Sequence, residues 1–166
     1  MKRLYLVGGP MGVGKTAACR RLEQMLPACA FLDGDWCWDM HPFQVTEETK
    51  ALVLDNICHV LNNFLACSAF ENVVFCWVMH QQAIWDALAA RLCTQGWQVV
   101  RAALVCAPET LRARVEGDAS RAPDAAARSL AYLPLYGALD VAQIDVTGLA
   151  PEGAARALLA LKGEDP

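Results

Sequence analysis

The chain has 166 residues, 55% of them apolar and 19% charged, with a formal net charge of -4. That length supports a real hydrophobic core, most simply in one domain spanning residues 1–166, and the composition excludes wholesale disorder. The negative balance argues against a broad nucleic-acid surface while leaving room for a local basic pocket around one small anion.

Apolar runs alternate with helical patterns from end to end, which predicts a parallel sheet with helices on both faces. The run Leu4–Val7 reads as the first strand, and a helix from about Lys15 to Leu26 is stopped by Pro27. Ala30–Leu32 is a short second strand that ends at Asp33-Gly34-Asp35. Thr46 suits an N-cap, Glu47 and Glu48 the first turn, and Leu54, Ile57, Cys58, Leu61, Phe64 and Leu65 one apolar stripe of a long helix. Asn72–Met79 has the unbroken apolar character of a central strand. Ile84, Leu88 and Leu92 mark a third helix, Trp97–Cys106 a fourth strand, and Pro108 the first turn of a helix carrying Leu111, Arg112 and Arg114. A Gly- and Pro-punctuated surface segment follows, a short lid at about 117–124, leading into a helix from about Asp124. Gln143–Val146 closes the sheet and Pro151 opens a last helix through Leu159.

The eight cysteines form no CxxC pair. Cys58, Cys67, Cys76 and Cys106 fall inside apolar patterns, where a reduced thiol packs as a small hydrophobe. The opening MKRLYLVGG has an apolar run too short for a secretory h-region, and the longest uncharged stretch, Asn72–Trp85, is shorter than the ~20 residues that span a bilayer. The expectation is a soluble cytoplasmic protein with a small-molecule partner and no nucleic acid or membrane.

The chemistry starts at Gly9. Gly9, Gly14, Lys15 and Thr16 complete G-x-x-x-x-G-K-[ST] between a predicted strand and a predicted helix, the context a phosphate-binding loop requires. The segment Gly9, Pro10, Met11, Gly12, Val13, Gly14, Lys15, Thr16 and Ala17 is therefore the expected nucleotide cradle. Its backbone amides and the helix's positive end would face the β-phosphate, Lys15 would reach the β- and γ-phosphates, and the Thr16 hydroxyl would hold Mg²⁺. The guanine-specifying Asn/Thr-Lys-x-Asp sequence does not occur, which favours ATP.

Asp33 and Asp35 stand past a strand's C-terminal end, the edge at which open α/β sheets bind ligands. Two acids there divide the labour, one orienting Mg²⁺ and the other accepting a proton from an attacking hydroxyl; an ordinary Asp-Gly-Asp turn is the competing reading. The central strand ends without the usual Walker B aspartate, so Asp33 is the candidate for its role. His80 and Gln81 at that strand end could line an acceptor pocket; a helix-capping or merely exposed histidine is the competing reading. Arg112, Arg114, Arg121 and Arg128 lie in or beside the lid; Arg114 and Arg121 are the candidates to close over the γ-phosphate, and Asp118 and Asp124 flank Arg121 as possible neutralising partners. The aromatic segment Trp36–Phe43, with Trp38, Asp39 and His41, is either a wall of an organic-ligand pocket or packing beneath the loop.

On the phosphate loop, LDGDW and DVTGLAPEGAARAL, the chain resembles the small P-loop kinases of the nucleoside monophosphate, shikimate and gluconate kinase group; LDGD is also similar to adenylylsulfate kinases. With LVCAPETLRARVEGD included, it resembles the tunicamycin-resistance ATP-binding proteins and unassigned AAA-like ATPases. The resemblance implies an α/β P-loop NTPase three-layer sandwich, with a five-stranded parallel sheet in the order 2-3-1-4-5 and ATP and Mg²⁺ as donor and cofactor. It further implies that Asp33 supports the metal, that Asp35 meets the acceptor hydroxyl, and that Gly148, Leu149 and Ala150 lie near the adenine. The aromatic segment is unlike the shikimate and gluconate acceptor sites, and the lid is short, with no clear R-x-x-x-R. The expected activity is ATP-dependent phosphoryl transfer to a small molecule, with a ligand-sequestering resistance ATPase as the alternative.

Overall fold

The computed structural model describes residues 1–163, so the last three residues of the expected 1–166 unit lie outside the described residues. Five parallel strands form one sheet: β1 (Lys2–Gly8), β2 (Cys29–Asp33), β3 (Asn72–Cys76), β4 (Trp97–Val105) and β5 (Ala142–Asp145). Their order is β2-β3-β1-β4-β5, the order that the resemblance implied. Among the described residues six α-helices cover it: α1 (Lys15–Met25), α2 (Glu47–Ala66), α3 (Gln82–Arg91), α4 (Pro108–Glu116), α5 (Ala125–Tyr132) and α6 (Pro151–Ala160).

Alternation along the strands divides the core into two layers. Tyr5 and Val7 of β1, Val74 and Cys76 of β3, and Val100, Ala102 and Leu104 of β4 face the side packed by α1, α4, α5 and α6. Leu4, Leu6, Val73, Phe75 and Ala103 face the side packed by α2 and α3. Both faces are covered, so the central strands read as continuous apolar runs; every residue of β3 is buried.

α2 begins as its sequence predicts. The Thr46 hydroxyl accepts from the Thr49 amide and the Thr49 hydroxyl accepts from the Thr46 amide, a reciprocal cap. Its buried stripe is Val53, Ile57, Cys58, Leu61 and Leu65, with Leu54 and Phe64 partly buried alongside. Each such side chain, fully buried, contributes about 1.5–3 kcal/mol.

All five strands differ from the sequence reading at their ends, β1, β2 and β4 by one or two residues and β3 and β5 as follows. The third strand ends at Cys76 rather than Met79. The Trp77 amide still donates to the Val7 carbonyl at 3.1 Å, but the backbone then turns through Met79 at φ 32°, and the indole of Trp85 donates to the Met79 carbonyl at 2.9 Å. Apolarity marked burial there, and the strand ends inside the apolar run. β5 lies one residue earlier than expected, although the Val146 amide still donates to the Val105 carbonyl at 2.8 Å. All eight cysteines are free thiols, and Cys58, Cys76 and Cys106 are buried as expected, with Cys67 partly exposed. Among the described residues no helix is long and apolar enough to cross a membrane.

Candidate active site

The central strand β1 pairs with β3 on one side and β4 on the other, so the sheet's connections diverge at its C-terminal end. Open α/β sheets bind ligands at such a divergence, and here the loop Gly9–Gly14 occupies it. Gly9, Gly12 and Gly14 take positive φ values of 151°, 84° and 104°. At Gly12 the left-handed backbone coincides with close packing, because a Cβ would stand 2.4 Å from Val115 Cγ2 of α4. Gly14 is the N-cap of α1 and contributes no capping side chain, so no side chain competes with a phosphate for the first amides of the helix.

Lys15 folds back over this loop, its Nζ donating to the Pro10 carbonyl at 2.9 Å. Burial of the ammonium pulls its pKa down; the Cys76 thiol and then the Asp35 and Asp33 carboxylates push it back up. Thr16 follows it directly in the first turn of α1, and its hydroxyl donates to Asp33 Oδ2 at 2.7 Å. Asp33 ends β2 and is buried, and its other oxygen accepts from the Asp35 amide at 3.1 Å. The chain then closes into a 3-10 turn over Gly34–Trp38.

Gly34 is required between the two acids, because a Cβ there would lie 2.5 Å from Trp77 Cγ. Asp35 is exposed on its outer side. On its inner side desolvation, followed by the charge of Asp33, raises its pKa, while Lys15, the Trp77 indole and Arg121 act in the opposite direction. Lys15, Thr16, Asp33 and Asp35 thus form one connected group, with the lid's Arg121 in electrostatic reach of Asp35.

These residues fit a magnesium-bound nucleotide. Among the described residues no three His, Cys, Asp or Glu side chains cluster as a metal cage. A hydroxyl and a carboxylate 2.7 Å apart are the protein's usual share of a Mg²⁺ shell that phosphate oxygens and water complete.

A family model described as an AAA domain matches residues 6–131. The chain belongs to that family. Solved structures of small kinases share its fold. A sugar kinase from Janibacter sp. HTCC2649 superposes with a TM-score of 0.72 at 17% identity, over 96% of this chain and 93% of that one. A gluconokinase from Sinorhizobium meliloti 1021 does so at 0.69 and 19%, over 95% and 90%. The Deinococcus radiodurans tunicamycin resistance protein does so at 0.68 and 17%, over 100% of both chains. At these identities the likeness is one of fold. No curated protein matches the chain by sequence.

The remaining candidates of this AAA domain divide. Arg121 lies in the exposed connection between α4 and α5, its Nε 3.0 Å from Asp118 Oδ2 in an ion pair that lacks hydrogen-bond alignment. Arg128 pairs with Asp124 at 3.1 Å and Arg112 with Glu116 at 3.5 Å, both exposed. Arg114 reaches the phosphate loop through the main chain. Its guanidinium donates to the carbonyls of Val13, 2.9 Å away, and Val146, 3.0 Å away, and so braces the phosphate loop against the end of β5. Two of its five N–H donors are taken by these main-chain carbonyls.

Trp38 packs 6.2 Å from Trp77 and 5.3 Å from Phe43, ring centre to centre, and its Nε1 is buried without a partner. His41 and Asp39 are exposed on the loop that follows, and Trp36 is exposed within the 3-10 turn itself. His80 lies beyond the end of β3 and stacks on Tyr132 of α5, with centroids 4.3 Å apart and planes at 19°. Ala17 is exposed on α1. Sequence reasoning did not find Ser129, whose hydroxyl donates to the Met11 carbonyl at 2.6 Å while the residue is 1% exposed. A serine on the same helical face as Ala125 and Ala126 was the available signal. Nor did it find Tyr132, whose stacking partner is far away in sequence.

Proposed function

We propose that this chain is an ATP- and Mg²⁺-dependent phosphotransferase that moves the γ-phosphoryl group onto a hydroxyl or phosphate of a small molecule. The observation that carries the reading is the Thr16 to Asp33 hydrogen bond of 2.7 Å, with Lys15 on one side and Asp35 on the other. It joins the phosphate loop to a carboxylate pair at the edge where an acceptor enters. Residues 1–166 are taken as one such unit.

The loop Gly9–Ala17 would hold the phosphates through its amides, and Gly148, Leu149 and Ala150 would lie beside the adenine. Thr16 and Asp33 would hold Mg²⁺, which supplies positive charge to the phosphate oxygens. Lys15 gains a phosphate partner in place of the Pro10 carbonyl and stabilises charge on the transferring group. Asp35 takes the proton of the attacking hydroxyl as its oxygen bonds to the γ-phosphorus and ADP leaves with the bridging oxygen. Arg121, released from Asp118, excludes water from that side.

A second reading is supported by the full-length likeness to the tunicamycin resistance protein: a resistance ATPase that sequesters its ligand and hydrolyses ATP slowly. Mass spectrometry of a metabolite and antibiotic pool incubated with the protein, Mg²⁺ and γ-labelled ATP separates the two, with Lys15→Ala as control. Phosphotransfer gives a product heavier by one phosphoryl group that the control lacks. ADP and free phosphate with no such product would favour sequestration.

A further inference from the structure

Trp77 stands one residue past β3, where the apolar run leaves the sheet, and the backbone there is fixed at three successive residues. The Trp77 amide donates to the Val7 carbonyl at 3.1 Å, the Tyr136 hydroxyl donates to the Val78 carbonyl, and the Trp85 indole donates to the Met79 carbonyl at 2.9 Å. Tyr136 and Trp85 are themselves fully buried, so the turn is held from inside the core. Only Gly8 separates Val7 from Gly9, and the first of these bonds therefore ties Trp77 to the foot of the phosphate loop.

The ring of Trp77 lies against the turn that carries Asp35. A Cβ on Gly34 would stand 2.5 Å from Trp77 Cγ and 2.6 Å from Cδ1, the carbon bonded to Nε1, so the edge of the indole that bears the N–H faces the residue before Asp35. An indole nitrogen donates and never accepts, and its acceptor here is the Asp35 carboxylate. Lys15 and Arg121 also attract that carboxylate, and Asp33 repels it. Both cations sit on long side chains engaged elsewhere, Lys15 Nζ with the Pro10 carbonyl at 2.9 Å and Arg121 Nε with Asp118 at 3.0 Å. The indole has two rotatable bonds and a clamped backbone, which makes it the fixed donor of the three.

Resting on the phosphotransfer reading above, we propose that Trp77 is a positioning residue whose indole N–H holds one oxygen of the Asp35 carboxylate and leaves the other to the hydroxyl that Asp35 deprotonates. The bond of its amide to Val7 sets how far that carboxylate stands from the phosphate loop.

The test has two readouts, and the first needs no acceptor. In a nitrogen–proton NMR spectrum of the native protein, the indole signal that is missing from Trp77→Phe belongs to Trp77. Asp35→Ala should move that signal upfield in the proton dimension and speed the exchange of its proton with water roughly tenfold, as for a donor that has lost a charged acceptor. The second readout uses a metabolite and antibiotic pool with Mg²⁺ and γ-labelled ATP. Trp77→Phe keeps a ring against Gly34 and loses the N–H, so it should form phosphorylated product roughly tenfold more slowly at saturating ATP, with the KM for ATP unchanged. A Trp77 signal and exchange rate indifferent to Asp35→Ala, or the native product rate in Trp77→Phe, would overturn this inference and leave the phosphotransfer reading standing. Should Trp77→Phe not fold, the signal is assigned through the backbone and the Asp35→Ala spectrum decides alone. No phosphorylated product from the native protein would overturn the phosphotransfer reading, and the role of Trp77 with it.

Discussion

Asp33 and Asp35 are two residues apart, and their surroundings differ. Asp33 is buried and already accepts from Thr16 and from the Asp35 amide, which suits a fixed metal support. Asp33→Asn should therefore raise the Mg²⁺ concentration needed for half-maximal turnover by about 10–100-fold, read by magnesium titration. Asp35 faces the open side with its pKa raised by desolvation and by Asp33. A base works ionised, so kcat/KM should fall as pH drops through that raised pKa, at a higher pH than an ordinary aspartate with a pKa of about 3.9 would give. Asp35→Asn should lower kcat by roughly 10²–10⁴ and remove that acidic limb from the pH profile. An unaltered limb in the variant would assign it to another group. At Arg114 the effect should be one of stability and nucleotide affinity. Arg114→Ala removes a donor from the Val13 carbonyl and one of two from the Val146 carbonyl, which keeps the Leu149 amide at 3.2 Å, a cost of about 1–3 kcal/mol. Differential scanning calorimetry should show a lower Tm, and the KM for ATP should rise because Val13 lies in the phosphate loop.

At the scale of elements, the phosphate loop is held between two helices that bracket the lid. Arg114 of α4 grips the Val13 carbonyl, Ser129 of α5 grips the Met11 carbonyl, and Val115 fills the space that a Cβ on Gly12 would need. The turn after β2 is held as tightly, since Gly34 lies against Trp77. Gly34→Ala should push Trp77 away from Asp35, with a stability loss of about 1–3 kcal/mol, checked by urea unfolding monitored through tryptophan fluorescence. An unchanged midpoint would show that the turn has slack. The motif Gly9–Thr16 was legible because all of its chemistry lies within eight consecutive residues. Asp33 was legible as an acid at a strand end, but its bond to Thr16 from 17 positions away was not, nor were the contacts of Arg114 with Val13 across 101 and of Ser129, itself unforeseen, with Met11 across 118. No local pattern specifies such contacts. The same limit explains β3, where Trp77, Val78 and Met79 are as apolar as a strand interior yet turn away from the sheet.

Across the whole molecule, the sheet brings the ends of β1, β2 and β3 to one edge, and the catalytic candidates follow from that arrangement. Burial on both faces made the strands readable as apolar runs, whereas their order came from the likeness to small P-loop kinases rather than from periodicity. The aromatic segment after Asp35 is where this chain departs from the acceptor sites of those kinases. On the proposed function, the carboxylate pair directs the γ-phosphoryl group to an acceptor and away from water. The most direct test measures ADP and phosphorylated acceptor in the same reaction. One phosphorylated acceptor per ADP in the native protein, with both products falling together in Asp35→Asn, is the expected result. ADP and free phosphate accumulating without phosphorylated acceptor would contradict it.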